Sequence, residues 1–271
     1  QKSLPSLVGV LHDDGYRAYA VHGNAGGFWN RDKAFKEMGF ERFFTRADFP
    51  ADANTDGWFL SDEAMTDKII ALLDTSSSPT LIFAISIEAH GPYDHSPIRD
   101  MAKRNAIAAP ATWPAAAVNE YKNYVYHIRN ADLQMGRLWA YLASRHRPYV
   151  LVFYGDHLPA LQNVYAVDGF DDTFDGTTQF VPWFVLASDN AVARTKHIDA
   201  WMLGEEVLSA ARLAEPPYYR ELVKAQKLLG NSHDETQRTK VQRGVDSMSR
   251  LYLNGKFDQE IPRLETAEKV Q

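Results

Sequence analysis

The chain has no cysteine among its 271 residues. That absence excludes disulfides, thiol nucleophiles and thiolate zinc sites, but it does not choose a compartment, because cytosolic and periplasmic proteins alike can lack cysteine. No apolar run approaches the roughly 18 residues needed to cross a bilayer, so the chain as it stands is expected to be soluble. A basic excess is missing too: 29 Lys and Arg face 35 Asp and Glu, giving a formal charge of −6. With no cluster of Lys and Arg interleaved with aromatics, nucleic acid is not an expected partner. Neither an initiator Met nor a signal peptide opens the chain, which starts "QKSLPSLVGV" and is expected to be a piece of something longer.

What the sequence does contain is 45% hydrophobic residues, enough for a sizeable core. Strand-like runs lie at Tyr16 to Val21, Thr80 to Ile87, Tyr149 to Tyr154 and Phe180 to Ala187. Helical patterns separate them. Ser61 with Asp62 and Glu63 predicts an N-cap and an acidic first turn. Tyr121, Val125, Ile128, Asp132, Met135, Leu138 or Trp139, and Leu142 recur at steps of three or four, which predicts a helix over about 118–144 with Asp132 on its apolar face in a structural role. This alternation implies an α/β sandwich: a mostly parallel sheet with helices on both faces, incomplete at its N-terminus. Residues 1–230 are expected to form one domain, and 231–271 a C-terminal helix and tail. The acidic loop "DGFDDTFDGTT" reads as solvated, without the regular spacing of a calcium site.

Three segments could carry chemistry, each at the end of a strand, where ligands sit in such folds. In "VLVFYGDH" an apolar strand ends on Asp156 and His157, a carboxylate and an imidazole suited to Mn²⁺ or Zn²⁺. The alternative is a capping aspartate beside a structural histidine. In "HGNAGGFWNRD", His22 leads into glycines that permit close backbone approach. Arg31 there offers a planar fork for phosphate oxygens and Trp29 a flat apolar wall, although either alone is as readily a surface ion pair or a core residue. In "ISIEAHGPYDH", His90 precedes the Gly91-Pro92 turn and could act as acid, base or hydrogen-bond partner, or simply cap the turn. His12, His95, His146 and His233 are read as surface residues, and Thr45 as a surface or turn residue.

Taken in order, "HGN", "FWNRD", "AHGPY" and "YGDH" resemble the extracytoplasmic catalytic domain of the lipoteichoic acid synthase and phosphoglycerol transferase family, of the alkaline phosphatase and sulfatase superfamily. "GFERFF", "FVPWFVLAS" and "HIDAWMLGEEVL" extend the resemblance over residues 5–215. It implies a Mn²⁺-dependent transferase, with Mg²⁺ or Zn²⁺ as alternatives, that moves phosphoglycerol from a phosphatidylglycerol-type lipid to a glycan or polyglycerophosphate acceptor. By motif position it implies Asp156 and His157 as metal ligands, and His22, Trp29, Arg31 and His90 as the phosphoglycerol pocket. The family's nucleophilic threonine and a further acidic ligand lie upstream of Gln1, so this chain alone is expected to be inactive. A membrane-embedded N-terminal region would hold the domain on the periplasmic or extracellular side of the cell membrane. A phosphoethanolamine transferase or sulfatase of the same superfamily, and a non-catalytic headgroup- or glycan-binding domain, are the alternatives.

Overall fold

Ala18, Ala20 and Val21 are fully buried in a strand with a neighbour on either side, and the architecture is built around it. The computed structural model describes residues 6–169, 180–188, 197–230 and 234–257. Most of the acidic loop, and His233, lie outside these described residues. The elements are α1 (Leu7–Asp13), β1 (Arg17–His22), α2 (Arg31–Met38), β2 (Arg42–Phe44), β3 (Thr55–Asp56), β4 (Phe59–Leu60), α3 (Asp62–Thr75), β5 (Thr80–Ile85) and α4 (Met101–Asn105). They continue with α5 (Ala115–Ser144), β6 (Val150–Tyr154), α6 (Gln162–Asp168), β7 (Trp183–Ala187), α7 (Leu203–Ala211), α8 (Pro217–Leu229) and α9 (Glu235–Leu253).

The main sheet has the order β2-β1-β5 and is parallel throughout, with Tyr19 opposite Arg42 and Ala20 opposite Phe83. β6 and β7 form a separate antiparallel pair, and β3 and β4 a short hairpin. Side chains alternate between the faces of a strand. Accordingly, Ile82 packs with Val21, Met65, Ile69, Leu138 and Leu151 in one core, under α3, the C-terminal half of α5, and β6. Its neighbour Leu81 packs with Leu11, Leu208, Leu222 and Val245 in another, under α1, α7, α8 and α9. Helices therefore cover both faces of the parallel sheet, as expected. Local signals behave as the sequence predicts at α3, where the Ser61 hydroxyl accepts from the Ala64 amide at 3.2 Å.

The apolar stripe of α5 needs correction. Asp132 is exposed, and so is Ile128. The buried side of the helix's N-terminal half is carried instead by Ala117, Glu120, Asn123, Tyr126 and His127. Periodicity of apolar residues finds the helix but misplaces its inward face, because that face is largely polar.

Candidate active site

β1 and β5 stay paired up to His22 opposite Ile85. The chain leaving β1 enters α2, whose Phe35 packs on Phe83, on the Leu81 side of the sheet. The chain leaving β5 goes on to α5, on the opposite side. The two exits diverge at the carboxyl ends of these strands, the usual ligand position in open α/β sheets. His22 sits there, 2% exposed. Its Nε2 lies 2.9 Å from Arg31 Nη1, and its Nδ1 lies 2.9 Å from the Ile85 carbonyl. A guanidinium only donates, so Nε2 must accept and Nδ1–H must donate to Ile85. Burial, opposed by the Ile85 bond and reinforced by the Arg31 charge, holds the imidazole below its ordinary pKa. His22 is thus a neutral buttress whose two ring nitrogens are both engaged, and it orients Arg31.

The glycine-rich turn explains how the chain gets from His22 to Arg31. A Cβ on Gly26 would come within 2.7 Å of the Thr45 methyl. Thr45 in turn is half-buried and caps the 3-10 turn at 46–48 together with Asp48. Trp29 and Asn30 both adopt positive φ, 57° and 56°. Trp29 is 79% exposed, its ring edge-on to Phe28 at 5.9 Å, so it is not a core residue.

His90 is exposed, five residues beyond Ile85. Its Nδ1 lies 2.8 Å from the Gly91 carbonyl, which leaves Nε2 turned away from that bond, and its ring stands edge-on to Phe59. His157 repeats the arrangement: Nδ1 lies 2.8 Å from the Leu158 carbonyl. Donation from Nδ1 places a lone pair on Nε2, and that atom is 3.6 Å from Asp156 Oδ2. Both side chains are mostly exposed. With the ring neutral, the Nε2 lone pair and the Asp156 carboxylate are donors suited to a divalent cation, so these two residues fit a metal, and the Leu158 carbonyl is of the kind that fixes a ligating histidine. Gly155 before them works by close approach rather than by an unusual turn, since its Cβ would lie 3.1 Å from Val181.

Two of these loops share a small core of their own. Tyr93, three residues past His90, packs with Leu161 and Val164, just past His157. Burial, then Tyr124 and, more weakly, the charge of Asp156, push the Tyr93 phenol up to about 12. His22 thus stands with Arg31, and the His90 loop with the Asp156–His157 loop.

A second group of metal-ligand types escapes the sequence reading: Asp56, Glu88 and His127 are buried with ligand atoms within 4.8 Å of one another. Each of their ligand atoms already has a hydrogen-bond partner. Asp56 accepts from the amides of Gly57 and Arg99 and from the Tyr126 hydroxyl. Glu88 accepts from the Asp62 amide at 2.7 Å and from Asn130 at 2.7 Å, and pairs with His127 at 3.1 Å. His127 Nε2 contacts the Ser96 hydroxyl. This is a hydrogen-bonded hub, which buried charges require. Beside it Asp62, 5% exposed, has no hydrogen bond to either carboxylate oxygen. Nothing in the spacing of these residues along the chain announces the hub; only the polar residues at helical intervals in α5 hint at it.

The family model described as Sulfatase matches residues 1–204. A Rhizobium meliloti (strain 1021) protein named for cyclic beta-1,2-glucan modification is 32% identical over 167 residues, covering 62% of this chain and 25% of that protein. Lipoteichoic acid synthase 1 of Bacillus subtilis (strain 168) is 25% identical over 159 residues, 58% of this chain and 23% of the synthase. The phosphoglycerol transferase GacH of Streptococcus pyogenes, solved in complex with sn-glycerol-1-phosphate, shares the fold with a TM-score of 0.68 at 17% identity, covering 87% of this chain and 60% of that one. The chain spans about a quarter of the length of these two curated relatives.

Proposed function

From the premise that the chain belongs to the sulfatase family and is of its lipoteichoic acid synthase and phosphoglycerol transferase kind, we propose that it forms part of a site moving phosphoglycerol from a phosphatidylglycerol-type lipid to a hydroxyl of an envelope glycan. The observation that carries this reading is the Nε2 of His157 facing Oδ2 of Asp156 at 3.6 Å, a pair of side chains suited to a divalent cation. The name of the Rhizobium relative supports a glucan as acceptor over a growing polyglycerophosphate.

In this reading Asp156 and His157 hold Mn²⁺, for which a carboxylate and an imidazole are suitable donors. A divalent ion held there would supply charge stabilisation on the phosphoryl oxygens and a lowered pKa for a hydroxyl nucleophile. Arg31 grips the phosphate oxygens through the fork of its guanidinium. His22 keeps that fork in place and, being neutral, adds no competing charge. His90 uses Nε2 to exchange a proton with a glycerol or acceptor hydroxyl. Trp29 walls the glycerol moiety.

Calorimetric titration tests this. Mn²⁺ affinity is expected to fall at least about tenfold in an Asp156→Ala, His157→Ala variant, and binding of sn-glycerol 1-phosphate to fall about tenfold in Arg31→Lys. Equal affinities for Mn²⁺ in wild type and variant would overturn the metal assignment. Tighter binding of phosphoethanolamine than of glycerol phosphate would overturn the substrate class.

A further inference from the structure

Glu120, Asn123, His127 and Asn130 stand at spacings of three, four and three along α5, which sets them in one stripe on a single helix face. The first three are each less than 5% exposed. Polar side chains this deeply buried have to satisfy partners, and here the partners belong to the two loops of the candidate site. Glu120 Oε2 accepts from the amides of Asn163 at 2.8 Å and Val164 at 3.0 Å, at the start of α6 and just past His157. Its Oε1 accepts from the Asn163 side chain at 3.2 Å. Asn123 donates from Nδ2 to the Tyr93 carbonyl at 2.6 Å and accepts from Arg104 at 2.8 Å. His127 and Asn130 hold Glu88, two residues before His90. One stripe thus grips the His90 loop on both sides and the loop after His157.

We infer that this stripe is the positioning device of the site: α5 acts as a ruler, about 15 Å long between Glu120 and Asn130, that fixes the His90 loop relative to the loop carrying Asp156 and His157. The inference rests on the phosphoglycerol-transfer reading for its purpose. None of the four side chains touches substrate. They act through the loops, and the device matters because a group displaced by 1 Å from its reacting partner can lose about 10²-fold in rate. The two ends of the stripe make separable demands. Glu120 supplies both orphan amides at the start of α6 with an acceptor, a cap delivered from another helix. Asn123 makes the stripe's own bond to the chain after His90, at the Tyr93 carbonyl.

Two variants in the 271-residue chain test it, each with a readout that mere loss of stability would not move. Glu120→Gln keeps the shape and one acceptor oxygen, and Mn²⁺ affinity measured by titration is expected to fall about fivefold to tenfold. Asn123→Ala frees the Tyr93 carbonyl, and the imidazole nitrogen spectrum of His90, assigned with His90→Gln, is expected to change from a single Nδ1–H tautomer to a mixture. Thermal melts confirm that each variant is folded at the temperature of measurement; Asn123→Ser replaces Asn123→Ala if it is not. Folded variants with wild-type Mn²⁺ affinity and an unchanged His90 spectrum would overturn the proposal. Failure of the wild-type chain to bind Mn²⁺ through Asp156 and His157 would instead overturn the functional reading, and the His90 spectrum would still decide the role of the stripe.

Discussion

Trp29 holds a backbone conformation that its side chain disfavours, with φ 57° and ψ 23°, and it does so in the open, where no packing rewards it. A non-glycine residue in the left-handed region costs on the order of 1–3 kcal/mol, and such strain concentrates at ligand sites. Glycine would remove the strain and the ring together. Trp29→Gly is therefore expected to raise unfolding free energy by about 1 kcal/mol in urea titrations, while weakening sn-glycerol 1-phosphate binding in calorimetry. A variant that loses stability and keeps its affinity would show that the ring packs on the protein rather than facing a ligand. Residue identities at this scale were legible in part. Strand ends are legible, since β1 runs to His22, and of the three glycines that follow, Gly23 and Gly26 sit in close approach while Gly27 has open space around it. The role of His22 was not legible, because which nitrogen of an imidazole is free depends on partners 9 and 63 residues away in sequence.

At the scale of elements, β1, β5, β6, β7, α3 and α5 followed from periodicity to within a few residues, since a strand repeats every two positions and a helix every three or four, whereas the three-residue β2 of the main sheet is too short to give such a signal. α5 shows where that stops. Its predicted apolar stripe included Asp132, which is exposed, and left out His127, which is 1% exposed. A helix whose inward face is polar gives no hydrophobic signature, and the partners that satisfy it lie as far as 70 residues away in sequence. The two residues should then behave oppositely to the periodicity. Asp132→Ala is expected to change stability by no more than about 0.5 kcal/mol. His127→Ala, which leaves Glu88 one donor short and opens a void under Gly57 and Ser96, should cost about 3 kcal/mol. Chemical denaturation of both variants decides the matter, and comparable losses would restore the sequence-based face.

For the whole molecule, the hub gives folding a distinctive dependence on pH. Burial first, and then the neighbouring Glu88, raise the Asp62 carboxyl from 3.8 to about 7, with the Glu88 amide only partly opposing. An acid whose folded pKa lies above its unfolded value binds its proton more tightly in the native state. Between about pH 4 and pH 7 the unfolded chain has released this proton and the native chain has not, so the Asp62 contribution is complete below that window, falls as pH rises through it and levels off above. Three units correspond to about 4 kcal/mol. His22 runs the other way: its pKa is lowered in the fold, so its contribution is present above its unfolded value of 6.5 and is lost as pH falls. The two overlap in a simple pH scan, and the difference between wild type and Asp62→Asn separates them. Urea unfolding at pH 5 and pH 8 is expected to show Asp62→Asn gaining on wild type by about 3 kcal/mol as pH rises, from the two units between pH 5 and pH 7. A constant difference across the window would mean that Asp62 ionises in the native protein as it does in the unfolded chain, with its two oxygens satisfied in a way the buried geometry does not provide.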